Sequence, residues 1–225
     1  MLARLLYRDG LMLVIDKPAG FAVHRGPKGG AALEDYFDAL RFGLPRSPAL
    51  AHRLDRDTSG CLVLGRHRKA LAALGKLFKQ GKVGKIYWAV VEGGPDADEG
   101  RIDIALSKRD ETRGWWMKAD PNGLPSSTTW KVMGRGDRIT WLALEPLTGR
   151  THQLRVHGAA MGWPIVGDPI YGTAPRHGGP ALQLHAREVT VPISKNKPPV
   201  KVVAPVPQHM REMLSQCGWK GDPSS

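Results

Sequence analysis

Nine consecutive residues, His52-Arg53-Leu54-Asp55-Arg56-Asp57-Thr58-Ser59-Gly60, gather two carboxylates, two guanidinium groups, an imidazole and two hydroxyls. A stretch needed only for packing would show an apolar period, and this one has a single large apolar residue, Leu54. A carboxylate flanked by arginines stays ionised near neutrality, because neighbouring positive charge favours the charged form. Such a group suits nucleophilic attack or removal of a weakly acidic proton better than proton donation. Asp55 is therefore the first candidate catalytic residue. Two more segments carry chemistry. In Lys85-Ile86-Tyr87-Trp88, strand alternation puts Lys85 and Tyr87 on one face and leaves Trp88 to fill the core on the other. An aromatic ring facing a cleft can stack on a nucleobase while its hydroxyl handles a proton. In Gly149-Arg150-Thr151-His152-Gln153-Leu154-Arg155-Val156-His157, His152 and Arg155 share one face of an expected helix. Both fall in its first turns, where the macrodipole and free N–H groups attract anions.

These segments need elements to position them. Leu5–Tyr7 and Leu11–Ile15 read as strands around an Asp9-Gly10 turn. The second leads into the loop Asp16-Lys17-Pro18-Ala19-Gly20. Helical spacing predicts helices over Ala31–Arg41 and Lys69–Gln80. A strand is expected at Cys61–Gly65, directly after the nine-residue loop, and another at Ile86–Val91. Further strands are expected at Trp115–Met117, Thr128–Val132, Ile139–Leu144, Leu182–His185, Glu188–Val191 and Val200–Val203. Thr151 is placed to cap a helix that Gly162 stops, and Gln208–Leu214 forms a short amphipathic helix. Gly93–Gly100 reads as a turn region. No repeat or long linker divides the chain, so one domain over residues 1–217 is expected, with a loose tail over 218–225.

The 225 residues include 33 basic and 21 acidic ones, for a net charge of +12. That excess points to a polyanionic partner, most simply nucleic acid. Two widely separated cysteines, Cys61 and Cys217, make neither a disulfide framework nor a zinc cage, which fits a reducing cytoplasm. Neither a leader segment nor a membrane-length apolar run is found. Phosphate-loop and dinucleotide-binding glycine patterns are also missing, so no cofactor and no metal are expected.

The motifs in order resemble those of the RluA family of RNA pseudouridine synthases: KPxG at Lys17–Gly20, HRLDRDTSG, KxY ending at Tyr87, and GRxHQxRxH. Thr128-x-Trp130-x-Val132 and Leu184-His185-Ala186 also look like family strand motifs. The resemblance implies an α+β pseudouridine-synthase core, a mixed and largely antiparallel sheet with flanking helices and loops around a central cleft. It implies isomerisation of uridine to pseudouridine in structured RNA, ribosomal or transfer, with DNA not expected as substrate. Asp55 matches the family's catalytic aspartate, Arg155 the arginine that pairs with it, and Tyr87 the family tyrosine. Whether Asp55 acts on the ribose, on the base or on the 2′ proton stays open. The target base must be flipped out. Arg53 is then a candidate to fill the vacated place, or alternatively a salt-bridge partner of Asp57. His52, Lys17, Arg150 and His152 are expected to bind substrate, and Lys195 and Lys197 are weaker phosphate candidates. No accessory RNA-binding domain is expected ahead of the core, and a monomer is the default.

Three rivals are worth separating. A glycosidase would use Asp55 and Asp57 as acid and base, but arginines flank both. A metal hydrolase would need His24, His52, His152 and His157, and the last two miss the i, i+4 spacing of helical ligands. An RNA-binding module without catalysis would bind RNA yet release no product.

Overall fold

The Asp9-Gly10 turn forms because the Asp9 carboxylate accepts the backbone N–H groups of Leu11 and Met12, both at 2.7 Å. A computed structural model describes residues 1–26, 29–110, 115–194 and 196–222. In chain order the elements begin with β1 (Leu5–Arg8), β2 (Met12–Lys17), a 3₁₀ helix (Leu33–Leu40), β3 (Ala49–Leu50) and β4 (Ser59–Gly65). Next come α1 (Arg68–Lys79), β5 (Gly84–Glu92), β6 (Glu99–Asp103), β7 (Leu106–Lys108), β8 (Met117–Ala119), β9 (Ser127–Arg135) and β10 (Ile139–Pro146). The chain ends with α2 (Gln153–Ala160), β11 (Leu184–Val191), β12 (Val200–Val203) and α3 (Gln208–Gln216).

The chain divides into two compact units, Met1–Lys85 with Ala186–Pro205, and Ile86–His185 with Val206–Ser225. The polypeptide passes from one to the other inside β5, returns inside β11 and crosses again between Pro205 and Val206. In the first unit β2 lies antiparallel between β1 and β4, with β3 also on β4 and β12 on β11. Every residue of β4 is buried, which explains why Cys61–Leu64 is a continuous apolar run. Met12, Val14, Cys61 and Val63 face one way and pack with Leu74 of α1. His67 caps α1 by accepting the Ala70 N–H on Nδ1 at 3.2 Å.

The second unit is built on the antiparallel path β5-β10-β9-β6. On one face Ala89, Val91, Leu142, Leu144 and Trp130 pack with Leu154 of α2 and with Trp163 and Ile165. On the other, Trp88, Val90 and Trp141 pack with Met210 and Leu214 of α3. A register shift at Trp141/Leu142 marks a bulge. Gly134 stands there because a Cβ would lie 1.8 Å from the Cys217 carbonyl oxygen, leaving no room for a side chain under the end of α3.

Several expectations need correction. Residues 33–40 form a 3₁₀ helix, closed by i→i+3 bonds such as Asp35 N–H to Ala32 O at 3.1 Å. The two strands expected at 182–191 are one, β11, and the strand expected at Trp115 begins at Met117. The N-cap position of α2 is His152, in the left-handed region at φ 53° and without a side-chain capping bond, one residue after the expected Thr151. β3, β6 and β7 were not anticipated. Of the tail expected to be loose, the described part is held: Trp219 N–H bonds Leu214 O at 3.0 Å, and Asp222 accepts the Val206 N–H at 2.9 Å. Among the described residues no helix is long and apolar enough to cross a membrane.

Candidate active site

Asp55 lies in the first unit, half-buried, in a turn closed by the Thr58 N–H to the Asp55 carbonyl at 3.2 Å. The turn is fastened from below. Lys17 ends β2 with no exposed surface, and its ammonium donates to the carbonyls of Pro18, Arg56 and Thr58 at 2.8, 2.8 and 2.9 Å. An ammonium has three N–H donors, so all are used. Lys17 was expected to meet phosphate; instead it ties the KPxG loop to the nine-residue loop. Burial pushes it down to about 8, against the opposing charges of Asp57 and Asp55.

His52 also departs from its expected substrate role. Where β3 leaves β4, its Nε2 accepts the Val63 N–H at 3.0 Å, replacing the carbonyl a longer strand would supply. Its ring stacks on Phe78 at 4.4 Å, and burial pushes its pKa down to about 4. The imidazole is thus neutral near pH 7 and built into the strand end. Gly60, at φ +106°, ends the loop, and a Cβ there would lie 2.3 Å from the Ala186 carbonyl oxygen. Arg53 is exposed, and the guanidinium on Asp57 is that of Arg56, Nε to Oδ1 at 3.1 Å.

In the second unit Tyr87 lies opposite Leu144 on β5 and β10, half-buried against the core face that holds Ala89 and Val91. Trp88 takes the core role expected of it, edge-on to Trp141 at 4.6 Å. Arg155 is buried on α2 and grips Asp168 in a two-pronged pair, Nε to Oδ2 at 2.7 Å and Nη2 to Oδ1 at 2.8 Å. Oδ1 also accepts the N–H groups of Ile170 and Tyr171 at 2.9 and 3.1 Å. Burial would raise the Asp168 carboxyl, but Arg155 and the two amides prevail and hold it below the usual range. The Arg155 guanidinium sits over the Tyr171 ring at 5.2 Å, and the Tyr171 hydroxyl is 2.8 Å from His152 Nδ1. The guanidinium is thus fixed in plane and rotation before any substrate arrives.

Gln153 anchors the preceding loop. Its Oε1 accepts from the Thr148 hydroxyl at 2.7 Å and the Arg150 N–H at 3.0 Å, and its Nε2 donates to Ser127 O at 2.9 Å and to Thr128 Oγ1 at 3.0 Å. Thr128 in turn bonds His157 Nδ1 at 3.0 Å, while His157 Nε2 donates to Ile104 O at 3.0 Å. The Arg150 side chain is left exposed at the rim, as a phosphate contact would require. Lys197 is exposed and Lys195 lies outside the described residues. The four histidines of the metal-hydrolase rival go separate ways, His24 to Glu34 at 2.6 Å and the others as described. Among the described residues no group of three or more His, Cys, Asp or Glu could hold a metal ion.

Sequence reasoning missed Asp168, Tyr171 and Gln153. Asp168 closes the run Gly162-Trp163-Pro164-Ile165-Val166-Gly167-Asp168, a few residues after GRxHQxRxH in the chain; Tyr171 left no signal. Comparison with known proteins gives the family. The RNA pseudouridylate synthase profile matches residues 11–160. A protein of Zymomonas mobilis named an uncharacterized RNA pseudouridine synthase is 42% identical over 212 residues, 93% of this chain and 96% of its own. The ribosomal large subunit pseudouridine synthase C of Vibrio cholerae is 34% identical over 94% of this chain and 68% of its own. Among solved structures, human RNA pseudouridylate synthase domain containing 4 superposes with a TM-score of 0.80 at 25% identity, over 96% of this chain and 93% of that one. Human RNA pseudouridylate synthase domain containing 1 gives 0.75 at 28%, over 98% and 96%.

The chain belongs to the RNA pseudouridylate synthase family. It is an α+β enzyme of the RluA type that converts uridine in RNA to pseudouridine.

Proposed function

We propose that this enzyme modifies uridine in large-subunit ribosomal RNA and that Asp55 is its catalytic carboxylate. In the reaction the N-glycosidic bond breaks, the uracil turns while bound, a carbon–carbon bond forms from C5 to the same ribose, the C5 proton leaves to solvent and N1 takes up a proton. The observation that carries the role of Asp55 is the buried Lys17 ammonium on the carbonyls of Arg56 and Thr58, which fixes the turn bearing it. A catalytic group needs its backbone held within a fraction of an ångström, and this loop has that support. Arg155, held by Asp168, and Tyr87, held against the core, serve the same reaction. Arg53, exposed on the Asp55 loop, braces the place vacated by the flipped base, since guanidinium planes stack on bases. Support for ribosomal RNA comes from relatives named for the large subunit; transfer RNA is the second pool to test. The proposal includes a monomer working where Cys61 and Cys217 stay buried thiols.

The test uses ribosomal and transfer RNA tritiated at uridine C5. Release from large-subunit RNA by the unmodified enzyme, and none by Asp55→Asn, is the expected result. Release from transfer RNA alone would overturn the substrate, and full release by Asp55→Asn would overturn the catalytic role.

A further inference from the structure

Among the described residues of the second unit, the most exposed aromatic side chain stands beside the Arg155 cluster. β7 and β8 form a hairpin whose ladder continues through the Arg109 N–H to Trp116 O at 2.7 Å. Trp115, 57% exposed, lies two residues ahead of β8. Its ring meets His152 edge-on at 5.6 Å and Trp116 edge-on at 5.6 Å. Two exposed arginines, Arg109 and Arg176, place their guanidinium groups at 5.6 and 5.7 Å from the Trp116 ring centre. The hairpin is tied to the cluster, because the Met117 N–H donates to the Tyr171 hydroxyl at 2.9 Å, the same hydroxyl that bonds His152.

We propose that Trp115 is a stacking platform for an unpaired nucleobase near the target uridine, and that Arg109 and Arg176, braced on Trp116, take the flanking phosphates. The proposal rests on the RNA-synthase reading and adds a specificity to it: single-stranded loop over duplex. An indole presents a flat π-face that any base can cover, and leaving one in water is unfavourable unless something covers it in use. A guanidinium stacked on a ring keeps its N–H edge free for phosphate and loses less freedom on binding than an unsupported side chain. The chain's net charge of +12 suits the same ligand. A base stacked here is linked to Arg155 by successive contacts, Trp115 to His152, His152 to Tyr171 and Tyr171 to the Arg155 guanidinium.

The experiment measures binding of fluorescein-labelled RNA of about ten nucleotides, single-stranded and as a duplex, by anisotropy. Trp115→Ala should weaken the single strand about tenfold or more and change the duplex less than about twofold, with Trp115→Phe recovering most of the loss. Arg176→Gln should lower the salt slope for the single strand by about one. In turnover Trp115→Ala should raise KM by more than it lowers kcat, and matched melting curves establish that the variants fold. Unchanged single-strand affinity, equal loss on both probes, or no recovery by Phe overturns the platform. The absence of tritium release by the unmodified enzyme would sink the synthase reading while the binding measurements still decide the platform.

Discussion

Asp168 accepts four hydrogen bonds, two from Arg155 and two from the backbone, and both side chains of the pair are almost wholly buried. Asp168→Asn keeps the shape but removes the negative charge facing a buried guanidinium. Breaking one side of such a pair costs about 3 kcal/mol or more, so urea denaturation should show a loss of that size. Tritium release should fall mainly through kcat, since Arg155 loses its fixed rotation. The pH dependence follows from direction. The folded carboxyl lies below its unfolded value, so its stabilisation is complete above about pH 4 and disappears as pH falls through the folded value. The stability gap between the unmodified protein and Asp168→Asn should therefore narrow below about pH 4. If the gap is constant down to pH 2, the coupling of Asp168 to Arg155 is wrong. The same pair shows what was hidden in the sequence. Asp55 was legible because charge and hydroxyls crowd into a run without apolar period. That Arg155 would close on Asp168 was not, because a bend of the chain between them brings the two together.

At the scale of the element, the nine-residue loop depends on groups outside it. Lys17→Met removes three hydrogen bonds at once and should abolish most turnover while leaving a folded protein, which circular dichroism and tritium release would separate. The alkaline side gives a second reading. The folded lysine releases its proton near pH 8, ahead of the unfolded chain, which holds it to about 10.4. The unfolded state then binds more protons between those values, so this group's contribution to stability rises with pH across the window, by up to about 3 kcal/mol. Lys17→Met should lack that rise; if both proteins show it, another group is responsible. Gly60→Ala drives a Cβ into the Ala186 backbone at a positive φ, and should destabilise by about 4 kcal/mol or prevent folding, read by expression and melting. Element boundaries followed physics the sequence displays unevenly. α1 was legible because Leu71, Leu74 and Leu77 repeat at helical spacing. β6 was not, since Glu99-Gly100-Arg101 has no apolar period and pairs along Thr129–Lys131 only once β9 is in place. β11 read as two strands because Ala186-Arg187 interrupts its apolar pattern, yet Arg187 is buried with its guanidinium on the Ala204 carbonyl.

At the scale of the whole molecule the decisive quantity is charge. An excess of twelve positive charges on 225 residues gives a field that attracts RNA before any particular contact forms. Part of that charge is already engaged: Arg155 and Lys17 are buried, and Arg4, Arg25, Arg41, Arg56, Arg101 and Arg135 each lie against an aspartate. Exposed arginines such as Arg53, Arg109, Arg150 and Arg176 are the ones the proposed RNA contacts use, and each phosphate neutralised releases condensed counterions. With about six phosphates contacted, affinity for a natural RNA substrate should fall roughly 10³-fold between 50 and 200 mM salt, with a logarithmic slope near −5. Stacking on Trp115 contributes no counterions, so Trp115→Ala should shift the whole line down without changing its slope, whereas Arg150→Gln should reduce the slope by about one. Anisotropy across a salt series measures both. A flat line for the unmodified protein would mean that its positive charge serves some other purpose than gripping the RNA backbone.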